Sequence, residues 1–149
     1  MGYYLQAFIG RKDALLKIQS SYSQAKLQEL GQDLYLIPVT EELFDQINNL
    51  TTSENISSFE YLTENVESEI LRRVANGTVA YIEAEYFGGK GGQIGTIWKD
   101  GARHLHLSYS QTAINKVLSF FGIVADTGKD EFDTLDFGRH RNTRDWIDV

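Results

Sequence analysis

The sequence predicts an α+β fold: one domain over residues 1–149, a largely antiparallel sheet with a central β-meander, and helices packed on one face. Three observations predict it. Strand-like alternation occurs in two groups, near the N-terminus and over residues 79–108, with helical periodicity between and after them. The meander strands are joined by short glycine-bearing turns, which suit antiparallel hairpins. A length of 149 residues fits a single domain, and 42% hydrophobic against 23% charged residues is enough for a core without cross-links.

Residues 3–9, YYLQAFI, are aromatic-rich and read as a first strand ended by Gly10. In RKDALLKIQSSY, Asp13 is placed to cap a short helix carrying Leu15, Leu16 and Ile18. AKLQEL and GQDLYLIPV read as two short strands around Gly31. Pro38 lacks an N–H for a ladder and marks a strand end or an edge. Thr40 is placed to cap a helix with Leu43, Phe44, Ile47 and Leu50 at helical spacing. After the polar TTSEN, Ser57 and Glu60 match a capping box, and Phe59, Leu62, Val66, Ile70 and Val74 form a core-facing stripe. Asn76-Gly77 is expected to close that helix. The stripe is expected to pack on the meander TVAYIEAEYF, QIGTIW and ARHLHLSY, whose last two strands are joined at Lys99-Asp100-Gly101. A final helix starts at Ser110, turns Ile114, Val117, Leu118 and Phe121 inward, and stops at Gly122.

Composition narrows the function classes. The chain has no cysteine, which excludes disulfides, thiolate chemistry and cysteine-ligated metal, and fits a cytoplasmic setting. A net charge of −7 without a basic stripe argues against nucleic acid and against acidic membrane surfaces. No apolar run approaches the roughly 20 residues of a membrane span. MGYYLQAFIG has neither a secretory-signal pattern nor a myristoylation motif. No cofactor motif stands out, and nothing in the sequence bears on oligomeric state.

The stretch EAEYFGGKGGQIGTIW, residues 83–98, carries the main question. It is not a phosphate-binding loop: Lys90 is followed by Gly91 where a hydroxyl is needed for magnesium, and a strand, not a helix N-terminus, comes next. Gly88 to Gly92 read as a hairpin loop with at least one positive φ. Side-chain alternation puts Glu83 and Glu85 on one sheet face, where paired carboxylates can divide acid and base roles. His104 and His106 also alternate onto one face. Should the two faces coincide, Glu83, Glu85, His104 and His106 would suit a divalent metal; otherwise they are solvent neighbours on a wet face. No nucleophile elbow occurs, and Asp126 does not begin a calcium loop.

The tail, DTGKDEFDTLDFGRHRNTRDW, is dense in charge and aromatics together. Phe132, Phe137 and Trp146 are expected to dock it, since three exposed large aromatics are costly. Arg139 and Arg141 repeat at the spacing of Glu83 and Glu85, so at least one of Arg139, Arg141 and Arg144 is expected to pair with a glutamate there.

AYIEAEYFGGKGGQ and GKDEFDTLDFGRHRNTRDW resemble paired motifs of a family of small bacterial proteins without established function. The shared residues are Glu83, Ala84, Phe87, Gly88, Gly89, Gly91, Gln93 and Trp98, then Asp130 to Asp133, Gly138 to Arg141, and Asp145-Trp146. The likeness covers roughly the second half of the chain; Asp136-Phe137 departs from it, where an apolar residue and glycine are expected. It implies no activity. By fold-level analogy, small acidic proteins of this kind include toxin-neutralising immunity proteins.

Two functions follow as expectations. One is a non-catalytic module binding another protein, a basic one by charge, through Glu83, Glu85, Phe87, Gly88, Gly89, Lys90 and Gln93 with Arg139, His140, Arg141 and Trp146. The other is a small enzyme or metal-binding protein using the Glu/His cluster.

Overall fold

A computed structural model describes residues 2–49 and 51–147. In chain order the elements are β1 (Tyr3–Arg11), α1 (Lys12–Gln19), β2 (Gln28–Gly31), β3 (Leu34–Pro38), α2 (Glu41–Asn48), α3 (Glu64–Val74), β4 (Thr78–Phe87), β5 (Lys90–Lys99), β6 (Ala102–Ser110), α4 (Ala113–Phe120) and α5 (Glu131–Thr134). The strands form one antiparallel sheet ordered β2-β3-β1-β4-β5-β6, so the α+β class and the β4-β5-β6 meander stand as expected. Among the described residues no helix is long and apolar enough to cross a membrane.

Both sheet faces are covered, which corrects the expectation of helices on one face. On the first face Phe8, Tyr81 and Trp98 meet Leu15 and Ile18 of α1, Leu43 and Ile47 of α2, and Val66, Ile70 and Val74 of α3. On the second, Leu5, Ala7, Ala80, Ile82 and Ile97 meet Ile114, Val117 and Leu118 of α4 and then Leu135, Phe137 and Trp146 of the tail. The reason lies in β1 and β4, which are buried over most of their length on both sides and therefore need two covers.

The helix termini shift where the local chemistry is different from the motif. Thr40 caps α2 as expected, its Oγ1 accepting from the Leu43 N–H at 3.2 Å. Leu50, assigned above to that stripe, lies outside the described residues. Ser57 does not cap α3: it sits in a loop at φ 51°, and Thr63 accepts from the Val66 N–H instead. Phe59 and Leu62 thus precede the helix yet remain buried. Ala75, not Gly77, takes the positive φ at the α3 end. Asp13 lies in the first turn of α1 after an Arg11 N-cap whose side chain makes no capping bond, and α4 starts after Thr112, not at Ser110.

Pro38 sits at the end of β3 and not on an edge strand. Beyond it only the Val39 N–H still bonds β1, donating to the Gln6 carbonyl at 2.8 Å, and the tail then takes the place of β3. The Tyr4 N–H donates to the Arg141 carbonyl at 2.8 Å, and the Gln6 N–H to the Thr143 hydroxyl at 3.1 Å. The Tyr4 and Gln6 N–H groups, which lie beyond the reach of β3, are thereby satisfied by residues 141–143.

Trp98 and Arg103 meet on Glu67 of α3. The buried indole N–H donates to Glu67 Oε2 at 2.8 Å, and Arg103 adds Nε and Nη2 bonds at 2.7 and 2.8 Å. Burial alone would raise the Glu67 carboxyl, but the bonds from Arg103 and Trp98 and the Arg103 charge outweigh it and hold it below its ordinary value of 4.5. A lowered carboxyl contributes stability above its unfolded pKa and loses it as pH falls through the folded value. Glu67→Ala is therefore expected to cost about 1–3 kcal/mol at neutral pH by stranding the indole N–H. The difference from wild type, followed by urea unfolding, should narrow below pH 4.5. A difference that stays constant down to low pH would contradict this.

Candidate functional site

The β4-β5 hairpin turns on two residues. Phe87 pairs with Lys90, and Gly88 and Gly89 between them have φ of 60° and 80°. The turn is thus shorter than the Gly88–Gly92 loop expected, with Lys90, Gly91 and Gly92 already in β5. The other glycines answer to close approach. A Cβ on Gly91 would overlap the Glu85 carbonyl, and one on Gly92 would meet the Tyr109 ring at 2.5 Å. The glycine cluster is accounted for by a tight turn and a seat for Tyr109.

Glu83 is 8% exposed and is held by three donors. The Glu60 and Tyr61 N–H groups give one bond to each carboxylate oxygen at 2.7 Å, and the Tyr81 hydroxyl donates to Oε2 at 2.7 Å. Burial raises the carboxyl above its usual range, the three hydrogen bonds opposing without cancelling it. Glu83 ties the loop before α3 to the sheet. Its alternation was legible in the sequence; its partner, a loop backbone, leaves no sequence signature.

The expected pairing of tail arginines with Glu83 or Glu85 does not occur. Arg139 donates to the Leu135 and Asp136 carbonyls, lies 5.1 Å from the Trp146 ring centroid and ion-pairs with Asp136. Arg141 reaches the Gly2 carbonyl, and Arg144 binds Glu42 at 2.6 Å. The tail aromatics sit on the second face, whereas Glu83 opens on the first. Trp146 is buried as expected, with His140 edge-on at 4.8 Å. Gln93 is also structural: its Oε1 accepts from the Ile114 N–H at the start of α4, and its Nε2 donates to the Tyr86 hydroxyl.

The Glu/His cluster is separated. Between Trp98–Arg103 and Ile97–Leu105 the β5-β6 register shifts by one residue, a β-bulge at His104. The bulge turns His104 toward Phe120 of α4, at 5.5 Å, while His106 faces Phe59 on the first face at 6.0 Å. Among the described residues no group of three or more His, Asp or Glu side chains is placed to hold a metal ion.

What the sheet does bring together is an open strip. Register aligns Tyr4 with Glu85 and Glu85 with Gly92, and the Tyr109 ring lies over Gly92. With Glu60, Glu83 and Ile94 these residues line a shallow depression of about 60 Å³ on the first face. Glu85 is exposed, and neither it nor Glu60 forms an ion pair among the described residues. Tyr109 is 61% and Phe87, at the turn, 80% exposed, with Lys90 beside it. The strip runs into β6, an edge strand whose residues are all at least partly exposed. Sequence reasoning named Glu85, Phe87 and Lys90 but missed Tyr4 and Tyr109, which only strand register joins, and Glu60, which its N–H bond to Glu83 brings in. No family model, no curated protein and no solved structure matches the chain.

Proposed function

We propose that the protein is a non-catalytic binding module that receives a basic segment of another protein on the open end of its sheet. The observation that carries this is the strip Tyr4, Glu60, Glu85, Phe87 and Tyr109: exposed aromatics beside carboxylates with no basic partner. Aromatic area supplies contact energy, and unpaired carboxylates supply charge complementarity, which the net charge of −7 extends as steering. Edge strand β6 offers backbone groups for strand addition, and its two register shifts confine an added strand to the regular stretch around Leu105–Leu107. The resemblance to small bacterial proteins and the analogy with immunity proteins support the finer reading: a cytoplasmic protein that neutralises a basic toxin.

The test is site-specific photo-crosslinking in the source cell. A photoreactive residue at Tyr109 or Leu105 is expected to capture one basic protein. The same residue at Asp33, by the far edge, is expected not to. Equal capture from both edges, or no basic protein among the adducts, would contradict the proposal.

A further inference from the structure

A second concavity adjoins the strip on the other side of Tyr4. It has a volume of about 510 Å³ and lies between β1, the start of α2, Tyr61 and tail residues 142–145. That size is typical of small-molecule sites. Its floor contains Gln6, which is 2% exposed. The Gln6 Oε1 accepts from the Thr143 hydroxyl at 2.8 Å, while its side-chain nitrogen has no hydrogen-bond partner among the described residues. That nitrogen is not among the unpartnered side-chain polar atoms sealed from solvent, and Gln6 lines both this pocket and the depression of the strip. A buried amide donor left open toward a pocket is unfavourable unless something accepts from it.

The walls define what that something is. Arg144 spends only Nη2 on Glu42, leaving its other two nitrogens without a partner among the described residues. With the Gln6 amide it offers donors suited to a carboxylate. The same pocket is lined by the exposed Glu41 and by Tyr4 and Tyr61, the latter backed by Phe44 at 5.0 Å. A carboxylate beside aromatic faces suits an ammonium group. Donors and an acidic, aromatic lining in one pocket match a zwitterion.

We infer that this cleft binds a free α-amino acid, its carboxylate on Gln6 and Arg144 and its ammonium on Glu41 between the tyrosine rings. The site unites both ends of the chain, because Thr143 orients Gln6 and Arg144 follows it directly. It shares Tyr4 with the protein-binding strip and goes beyond that proposal without depending on it.

Backbone amide spectra titrated with L-lysine, L-leucine, putrescine and acetate test the inference. L-Lysine or L-leucine is expected to give saturable shifts around Gln6, Glu41 and Thr143, with a Kd of about 1 mM or tighter. Putrescine lacks the carboxylate and acetate the ammonium, so both are expected to bind about tenfold more weakly or not at all. Gln6→Leu should abolish the shifts. Glu41→Gln, a surface change that leaves the fold intact, should weaken them about tenfold. Saturation by neither amino acid, shifts centred elsewhere, equal response to putrescine, or an unchanged Kd in Glu41→Gln would each overturn the inference.

Discussion

Trp146→Ala is expected to destabilise the protein by about 3–5 kcal/mol, the usual loss for a fully buried aromatic, measured by urea unfolding. Trp146 is 1% exposed and closes the second core, with Phe137 at 6.1 Å, His140 edge-on and Arg139 stacked over it. Removing it empties the centre of the tail's contact with Ile82, Ala84 and α4. Trp146→Phe should cost far less, because the indole N–H has no acceptor among the described residues and no hydrogen bond is lost. Near-equal losses for the two variants would show that ring burial is not what holds the tail. Loss of the tail would also reopen the Tyr4 and Gln6 N–H groups, so the effect should extend to exchange protection in β1.

Glu83→Ala is expected to cost about 2–4 kcal/mol, because it leaves three neutral donors without their acceptor. Three donors converge on this carboxylate: two loop N–H groups and the Tyr81 hydroxyl. Glu83→Gln retains the shape but turns an amide NH₂ toward one of those donors, so it should recover only part of the loss. In both variants the loop before α3, with Phe59 and Leu62, should gain exchange before the sheet does. A loss within about 1 kcal/mol for Glu83→Ala would instead mark the site as effectively exposed.

The particular residues show what the sequence could convey. Alternation along TVAYIEAEYF placed Glu83, Tyr81 and Val79 on one face correctly, because β4 is regular from end to end. The same reasoning failed at His104, because one inserted residue in β6 reverses the alternation and no glycine marks the bulge. Thr40 was legible as a cap, whereas Thr63 was hidden by the better-formed Ser57–Glu60 motif, whose backbone is committed to Glu83. Aromatic content showed that the tail docks. Its face could not be read, because the deciding contacts are to the Tyr4 and Gln6 N–H groups of β1, 137 residues away in sequence. The open strip joins residues 4, 60, 85 and 109, which no local pattern connects.

The most direct measurement is the affinity of the basic protein captured at Tyr109 for purified wild type and for Glu85→Lys/Tyr109→Ala, at low and high salt. Both residues are exposed, so the double variant should keep the wild-type melting temperature. Wild-type binding is expected to weaken with salt, and the double variant to bind about 100-fold more weakly at low salt with a smaller salt dependence. Wild-type affinity in the double variant, with the same salt dependence, would contradict this.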